Sequence, residues 1–189
     1  MRKLFLIDLV MAVLIIFIFS VDSGHTSTAA PAGSYFVSTA GSDRNPGTEK
    51  EPWKTIQKAA ESVSPGSTVY IKAGTYYERI NIEVSGASAE EPVIFRNYQN
   101  DQVIIDGSKS SGSEQEDLIN ITDQSFLKLI GLEITNNTGK KDDCLLTGIG
   151  IYGAGEGIEI SSCRIHHIWY TGSSESAGAQ AIAVYAHVS

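Results

Sequence analysis

Stretches of this chain repeat one another at nearly constant spacing, and that self-similarity restricts the fold more than any other feature of the sequence. Leu127, Leu129, Leu132 and Ile134 recur 31 residues later as Ile158, Ile160, Cys163 and Ile165. Ile119 and Ile121 recur 30 residues later as Ile149 and Ile151, and these recur 33 residues later as Ile182 and Val184. A repeat of this length that carries three short β-rich runs and no helical pattern is one coil of a solenoid, in which each strand pairs with its copy on the next coil. Strands paired in this way run parallel. Alternation in Ile119-Asn120-Ile121 and Ile158-Glu159-Ile160 turns the branched aliphatics inward and the middle residue to solvent. The same offset sets Lys128 beside Glu159 and Glu133 beside Arg164 on the outer face, two opposite-charge pairs at the ~4.8 Å spacing of adjacent strands.

The leucine-rich repeat is the rival architecture, because Leu129, Leu132, Ile134 and Asn137 fit its strand segment. The next copy breaks that pattern, with Cys163 for the leucine and Ile168 for the asparagine, and the period exceeds the roughly 20–29 residues of such repeats. An antiparallel sandwich would need hairpin dipeptides, and Asp106-Gly107 is the single candidate. Strands are predicted at 68–72, 79–83, 93–96, 103–105, 118–121, 126–129, 132–134, 149–152, 157–160, 163–165 and 182–185.

One helix is predicted. Ile56, Ala59, Ala60 and Val63 recur at helical spacing, so residues 53–63 read as three turns with one apolar face, stopped by Ser64-Pro65-Gly66. Solenoids need covered ends, and this helix is the expected N-terminal cap. Ile182-Ala183-Val184-Tyr185 opens a new rung four residues before Ser189, so the sequence reads as cut short.

The N-terminus has the layout of a signal peptide: Arg2 and Lys3, an apolar run over residues 9–19, then small and polar residues through Ala32. Asp8 and Asp22 leave that run shorter than the ~20 apolar residues of a membrane span. Cleavage after Ala32, Ala30 or Gly24 is compatible with the small-residue rule. The expected organisation is a signal peptide at 1–32, a strand, loop and capping helix at 33–67, and β-helix coils at 68–189. The expected location is extracellular. Formal charge is −8, from 14 basic and 22 acidic residues, and removing residues 1–32 takes two of each sign. Without a Lys/Arg cluster such a chain disfavours nucleic acid and anionic lipid. A polyanionic glycan would have to be met by a local cation or a bridging metal. Cys144 and Cys163 form no disulfide framework and no metal spacing. Cys163 faces inward by alternation, as a small buried hydrophobe, while a bridge to Cys144 is open to an exported protein. Asn120-Ile121-Thr122 and Asn136-Asn137-Thr138 are sequences of the glycosylation-acceptor type, whose meaning depends on the organism.

The stretch YFVSTAGSDRNPGT, followed by EPWKTIQKAAESVSPGSTVYIKAGTYYERI, resembles the opening segment of secreted right-handed β-helix proteins, among them the family-nine pectate lyases. The likeness is strong over residues 35–107 and looser to 189. It implies an all-β, right-handed parallel β-helix with an N-terminal capping helix, export, and action on acidic polysaccharide such as pectin; the full-length protein is expected to be a monomer. In those lyases a later coil reads Ala-Asp-Gly-Phe, its Asp binding calcium, and is followed by an Asp-Asp-Gly-Phe-Asp coil and a catalytic Lys. The counterpart of the first is Ala179-Gln180-Ala181-Ile182, with neutral Gln180 at the calcium position, and the remaining motifs fall beyond Ser189. The resemblance thus implies calcium for a longer chain, a catalytic set outside this sequence, and no lyase activity from this stretch alone.

Candidate chemistry within the chain is sparse. His166 and His167, beside Trp169 and Tyr170, are candidate sugar contacts. Strand alternation turns successive residues apart, so at most one imidazole should share a groove with Tyr170. Gln180 and Tyr185 are further substrate-contact candidates. Asp142-Asp143 is the adjacent acid pair of the later coils and the candidate metal site, although its Lys140-Lys141 and Gly neighbours read as a solvated turn. No Ser-His-Asp order, P-loop or dinucleotide fingerprint is present. Two functions remain: a carbohydrate-active enzyme, with a lyase favoured over a hydrolase, or a non-catalytic glycan-binding or cell-surface β-helix module.

Overall fold

A computed structural model describes residues 32–109, 117–139, 145–173, 175 and 177–186. Its strands form three parallel sheets that wind as a β-helix of four coils. The first coil holds β2 (Thr68–Ile71), β3 (Gly74–Tyr76) and β4 (Ile80–Ile82); the second β5 (Val93–Asn97), β6 (Val103–Asp106) and β7 (Asp117–Thr122). The third holds β8 (Leu127–Ile130), β9 (Leu132–Gly139) and β10 (Leu145–Gly153); the fourth β11 (Glu159–Ser161), β12 (Arg164–Tyr170) and β13 (Gly178–Ala186). An additional strand, β1 (Ser34–Val37), precedes them and pairs with β2, giving sheets β1-β2-β5-β8-β11, β3-β6-β9-β12 and β4-β7-β10-β13.

The register is the one the repeats predict. Glu159 pairs with Lys128 and Ile160 with Leu129, Arg164 pairs with Glu133, Ile149 lies between Ile119 and Ile182, and Ile151 lies between Ile121 and Val184. Each sheet contributes aliphatic columns to one core: Val69, Phe95 and Leu129 continue into Ile160, and Tyr76, Ile105 and Ile134 into Ile165. Columns are sealed where a neighbouring coil, or the N-terminal strand and helix, covers both sides, as at Ile80, 1% exposed. Ile119 and Ile149 are 1% and 0% exposed, whereas Ile182 on the last described coil is 40% exposed and Val184 is 64% exposed.

The helix is shorter than the apolar spacing predicts. The helix α1 spans Ile56–Ala60, because Trp53 is held extended: its N–H donates to the Phe36 carbonyl at 2.9 Å and it bridges Val37. The predicted apolar face is nevertheless the buried one, with Ile56, Ala59, Ala60 and Val63 all at 2% exposure or less. A helix this short is held by side chains around its first turn. Asp43 Oδ1 accepts from the N–H groups of Lys54 and Thr55, Glu78 accepts from those of Ile56 and Gln57, and Thr55 Oγ1 accepts from that of Lys58. Burial raises the Glu78 carboxyl above its ordinary pKa, against the opposing pull of those two N–H donors.

β3 was not expected as a strand, and β9, β10 and β12 run well beyond their predicted ends. β9 and β12 continue through a left-handed residue at the same level of successive coils, Asn136 (φ 61°) and His167 (φ 54°). Around it the pairing resumes, His166 with Thr135 and Ile168 with Asn137, so the strand turns a corner without losing its partner.

Candidate functional site

The corner of β12 determines how its imidazoles lie. An extended pair would face opposite ways, but the left-handed backbone at His167 brings both rings together. Their centroids are 4.7 Å apart at an interplanar angle of 72°, with Nδ1 of His166 in hydrogen-bond contact with Nδ1 of His167. The expectation that the two would separate is therefore corrected, and the cause is one backbone dihedral. Trp169, 56% exposed, follows, its ring centroid 6.2 Å from that of His167. Tyr170 is the next residue along, and its hydroxyl and ring edge lie where a Cβ on Gly172 would stand.

Glu133 completes the cluster. Its Oε1 lies 2.8 Å from His166 Nε2, and its Oε2 accepts from Gln102 Nε2 at 3.2 Å. Arg164 is its cross-strand neighbour, as the repeat predicts, but the close contact is the diagonal one to His166. Hydrogen bonds from His166 and then Gln102, assisted by the charge of Arg164, hold the Glu133 carboxyl below the usual glutamate range. Thr135 Oγ1, beneath His166, is 3.3 Å from its Nδ1. The other predicted pair is a direct ion pair, Lys128 Nζ to Glu159 Oε2 at 3.0 Å. Spacing in the sequence pairs Glu133 with Arg164, and the contacts of Glu133 and Thr135 with His166 come from the structure. The signal was present, since the 31-residue offset places Thr135 beside His166 and Glu133 two residues away.

Gln180 and Tyr185 lie on the third sheet. Gln180 is exposed and pairs in register with Thr147, which pairs with Asp117 one coil earlier. Tyr185 stacks on Tyr152 at 5.7 Å and 2°, a ladder running along the helix axis. Asp117 is 6% exposed and fully engaged: Oδ1 accepts from Thr147 Oγ1 and from the Tyr152 hydroxyl (3.1 Å), and Oδ2 accepts from Asn120 Nδ2 (2.9 Å). Beside it, Arg79 donates to the Asp117 carbonyl and to Asn137 Oδ1. Cys163 points inward, its Sγ 3.5 Å from the Leu129 carbonyl, and burial raises the thiol pKa. Asp142, Asp143 and Cys144 lie outside the described residues.

The described residues do not fit a calcium cage. Calcium requires six to eight oxygens, several of them from carboxylates. At the Gln180 position the strand offers one neutral amide, and the nearest acid in that column, Asp117, spends both oxygens on internal donors. No group of three or more His, Cys, Asp or Glu side chains suited to a metal is found among the described residues.

Comparison with known proteins fits the coiled architecture. The family model "Pel9A-like, right handed beta helix region" matches residues 35–188. The chain belongs to this family. It is 34% identical over 148 residues to "Uncharacterized protein YwoF" of Bacillus subtilis, covering 77% of this chain and 31% of that protein. It is 31% identical over 119 residues to "Pectate lyase PEL9" of Emericella nidulans, covering 57% and 29%. The chain thus spans about a third of the length of these curated relatives. In fold it resembles the GH136 lacto-N-biosidase from Eubacterium ramulus, with a TM-score of 0.51 at 17% identity over 69% of this chain and 34% of that one. Family membership makes the right hand of the β-helix a shared property of the group.

Proposed function

We propose that this chain is the N-terminal part of an extracellular β-helix protein acting on an acidic polysaccharide such as pectin, by lyase chemistry rather than hydrolysis. The observation that carries the reading is the 31% identity to a pectate lyase within a family model matching residues 35–188. The β12 face supports it with groups suited to a uronate chain: an exposed tryptophan, two imidazoles and the exposed Arg164 on one strand. Calcium, where the reaction uses it, would be held by acids other than those described, and catalysis proper would be completed by further coils. Export follows from the charge and hydropathy of residues 1–32.

The test is polygalacturonate cleavage by a chain extended through the downstream coils. Ultraviolet-absorbing unsaturated products, appearing with calcium and absent for the 189-residue chain, are expected. New reducing ends without unsaturation would replace the lyase with a hydrolase. The second reading, a non-catalytic glycan-binding module, is favoured by the neutral Gln180 and by the internal engagement of Asp117; binding of the polymer without any cleavage would establish it. Amino-terminal sequencing of protein recovered from culture medium tests export, and sedimentation of the extended chain tests for a monomer.

A further inference from the structure

The hydrogen bonds around His166 fix where its protons sit. Glu133, held ionised by its donors, can only accept, so His166 Nε2 carries the proton between them. When the ring is neutral, His166 Nδ1 is therefore bare, an acceptor 3.3 Å from Thr135 Oγ1 and in contact with Nδ1 of His167. Two bare nitrogens cannot bond, so His167 Nδ1 carries a proton, and its remaining nitrogen, Nε2, is the bare acceptor of an exposed ring. One coil earlier the same left-handed corner holds Asn136, whose amide donates to Asp106 Oδ2 at 2.8 Å. The fold is served by an asparagine here, and coil four carries a titratable ring in its place.

We propose that Glu133, His166 and His167 form a proton relay, with His167 Nε2 exchanging a proton with an acidic sugar docked against Trp169. This rests on the polysaccharide reading above. A proton leaving the sugar binds His167 Nε2, and the pair of electrons it leaves stays on the sugar. The Nδ1 proton of His167 passes to His166 Nδ1, and the imidazolium formed there is neutralised by the Glu133 carboxylate 2.8 Å away. Return of the proton to a departing sugar oxygen reverses each transfer. Arg164, exposed and two residues before His166 on the outer face, supplies a cation for the sugar carboxylate.

The full 189-residue chain, labelled with 15N at histidine, is read by two-bond proton–nitrogen correlation at a pH where both rings are neutral. His166 is expected with its proton on Nε2 and His167 with its proton on Nδ1, and His166→Gln should return His167 to the Nε2 form that free imidazole side chains prefer. His167 bearing its proton on Nε2 in the unsubstituted chain would overturn the relay, whatever the sugar does. His167→Asn, which the Asn136 corner shows to be compatible with this backbone, controls for folding by amide exchange. Trigalacturonate is then titrated in. Saturable movement of the His167 resonances, with binding weakened at least tenfold by Trp169→Ala, is expected. Correct tautomers with no movement on adding trigalacturonate would remove the sugar contact and count against the polysaccharide reading, leaving the hydrogen-bonded chain itself intact.

Discussion

Position along the solenoid should decide what a core truncation costs, and the column Tyr76–Ile105–Ile134–Ile165 isolates that variable. Ile134 is 0% exposed, with hydrogen-bonded strands in fixed register on both sides, β6 carrying Ile105 and β12 carrying Ile165. Truncating it to alanine leaves a void that neither neighbouring strand can move to fill without breaking its pairing. Large-to-small substitutions of this kind cost 2–5 kcal/mol, and a site unable to collapse belongs in the upper half, about 4 kcal/mol. Ile165 is half-buried in the same column, with a coil on one side among the described residues. Its truncation forfeits less burial and should cost about 2 kcal/mol. For a chain of this size those losses correspond to roughly 12 °C and 6 °C in melting temperature. Denaturant melts would be followed by tryptophan fluorescence in a Trp169→Phe background, which leaves buried Trp53 as the remaining one of two tryptophans. Amide exchange at β12 would show whether the far end melts with it, since solenoids unfold coil by coil when coupling is weak. Equal losses, or a larger one at Ile165, would refute the argument that two-sided cover sets the cost.

Three further outcomes are expected. A double-mutant cycle on Lys128 and Glu159 should return a coupling close to zero that vanishes with added salt, because both side chains are solvated, at 33% and 47% exposure; a sizeable coupling that survives high salt in chemical melts would contradict this. Gly131→Ala should destabilise by about 1–3 kcal/mol, since its φ of +72° disfavours a side chain and the added Cβ would lie 2.3 Å from Asn97 Oδ1; an unchanged melting temperature would show that Asn97 moves freely. Glu133→Gln should weaken the fold near neutral pH and not in acid. The folded carboxyl titrates below its ordinary 4.5, so its contribution is present above that value and is lost as pH falls through the lowered one. Stability curves of parent and variant should therefore converge on the acid side, and a constant gap at every pH would contradict the assignment.

The register was readable because inward positions tolerate little besides Ile, Leu, Val and Phe, so each coil reprints the pattern of the last. Ile158 and Ile160 could be placed over Leu127 and Leu129 without any structure. β3 escaped because Gly74-Thr75-Tyr76 has too few inward residues to show a period. The helix was overextended because apolar spacing marks the buried face of residues 56–63 but not the backbone bonds that keep Trp53 in a strand-like path. His166, His167, Trp169 and Tyr170 were legible as candidates, but how the two imidazoles meet was hidden for a related reason. Alternation holds while φ stays negative, and nothing in Ile165-His166-His167-Ile168 announces the left-handed residue that places both imidazoles together. Glu133 was seen as an outward charge, yet its choice of His166 over Arg164 depends on side-chain reach across a diagonal, which spacing alone does not encode.

The stacked corners of β9 and β12 separate architecture from chemistry. At that level the main chain takes the same path in both coils whether the occupant is an amide or an imidazole, so the corner behaves as a socket with a standard fitting. Asparagine and histidine are both accommodated there on the same left-handed backbone, and successive corners lie one strand spacing of ~4.8 Å apart along the axis. A lineage built on this solenoid could relocate or multiply reactive groups by single substitutions at successive corners, keeping its core unchanged while its surface chemistry drifts.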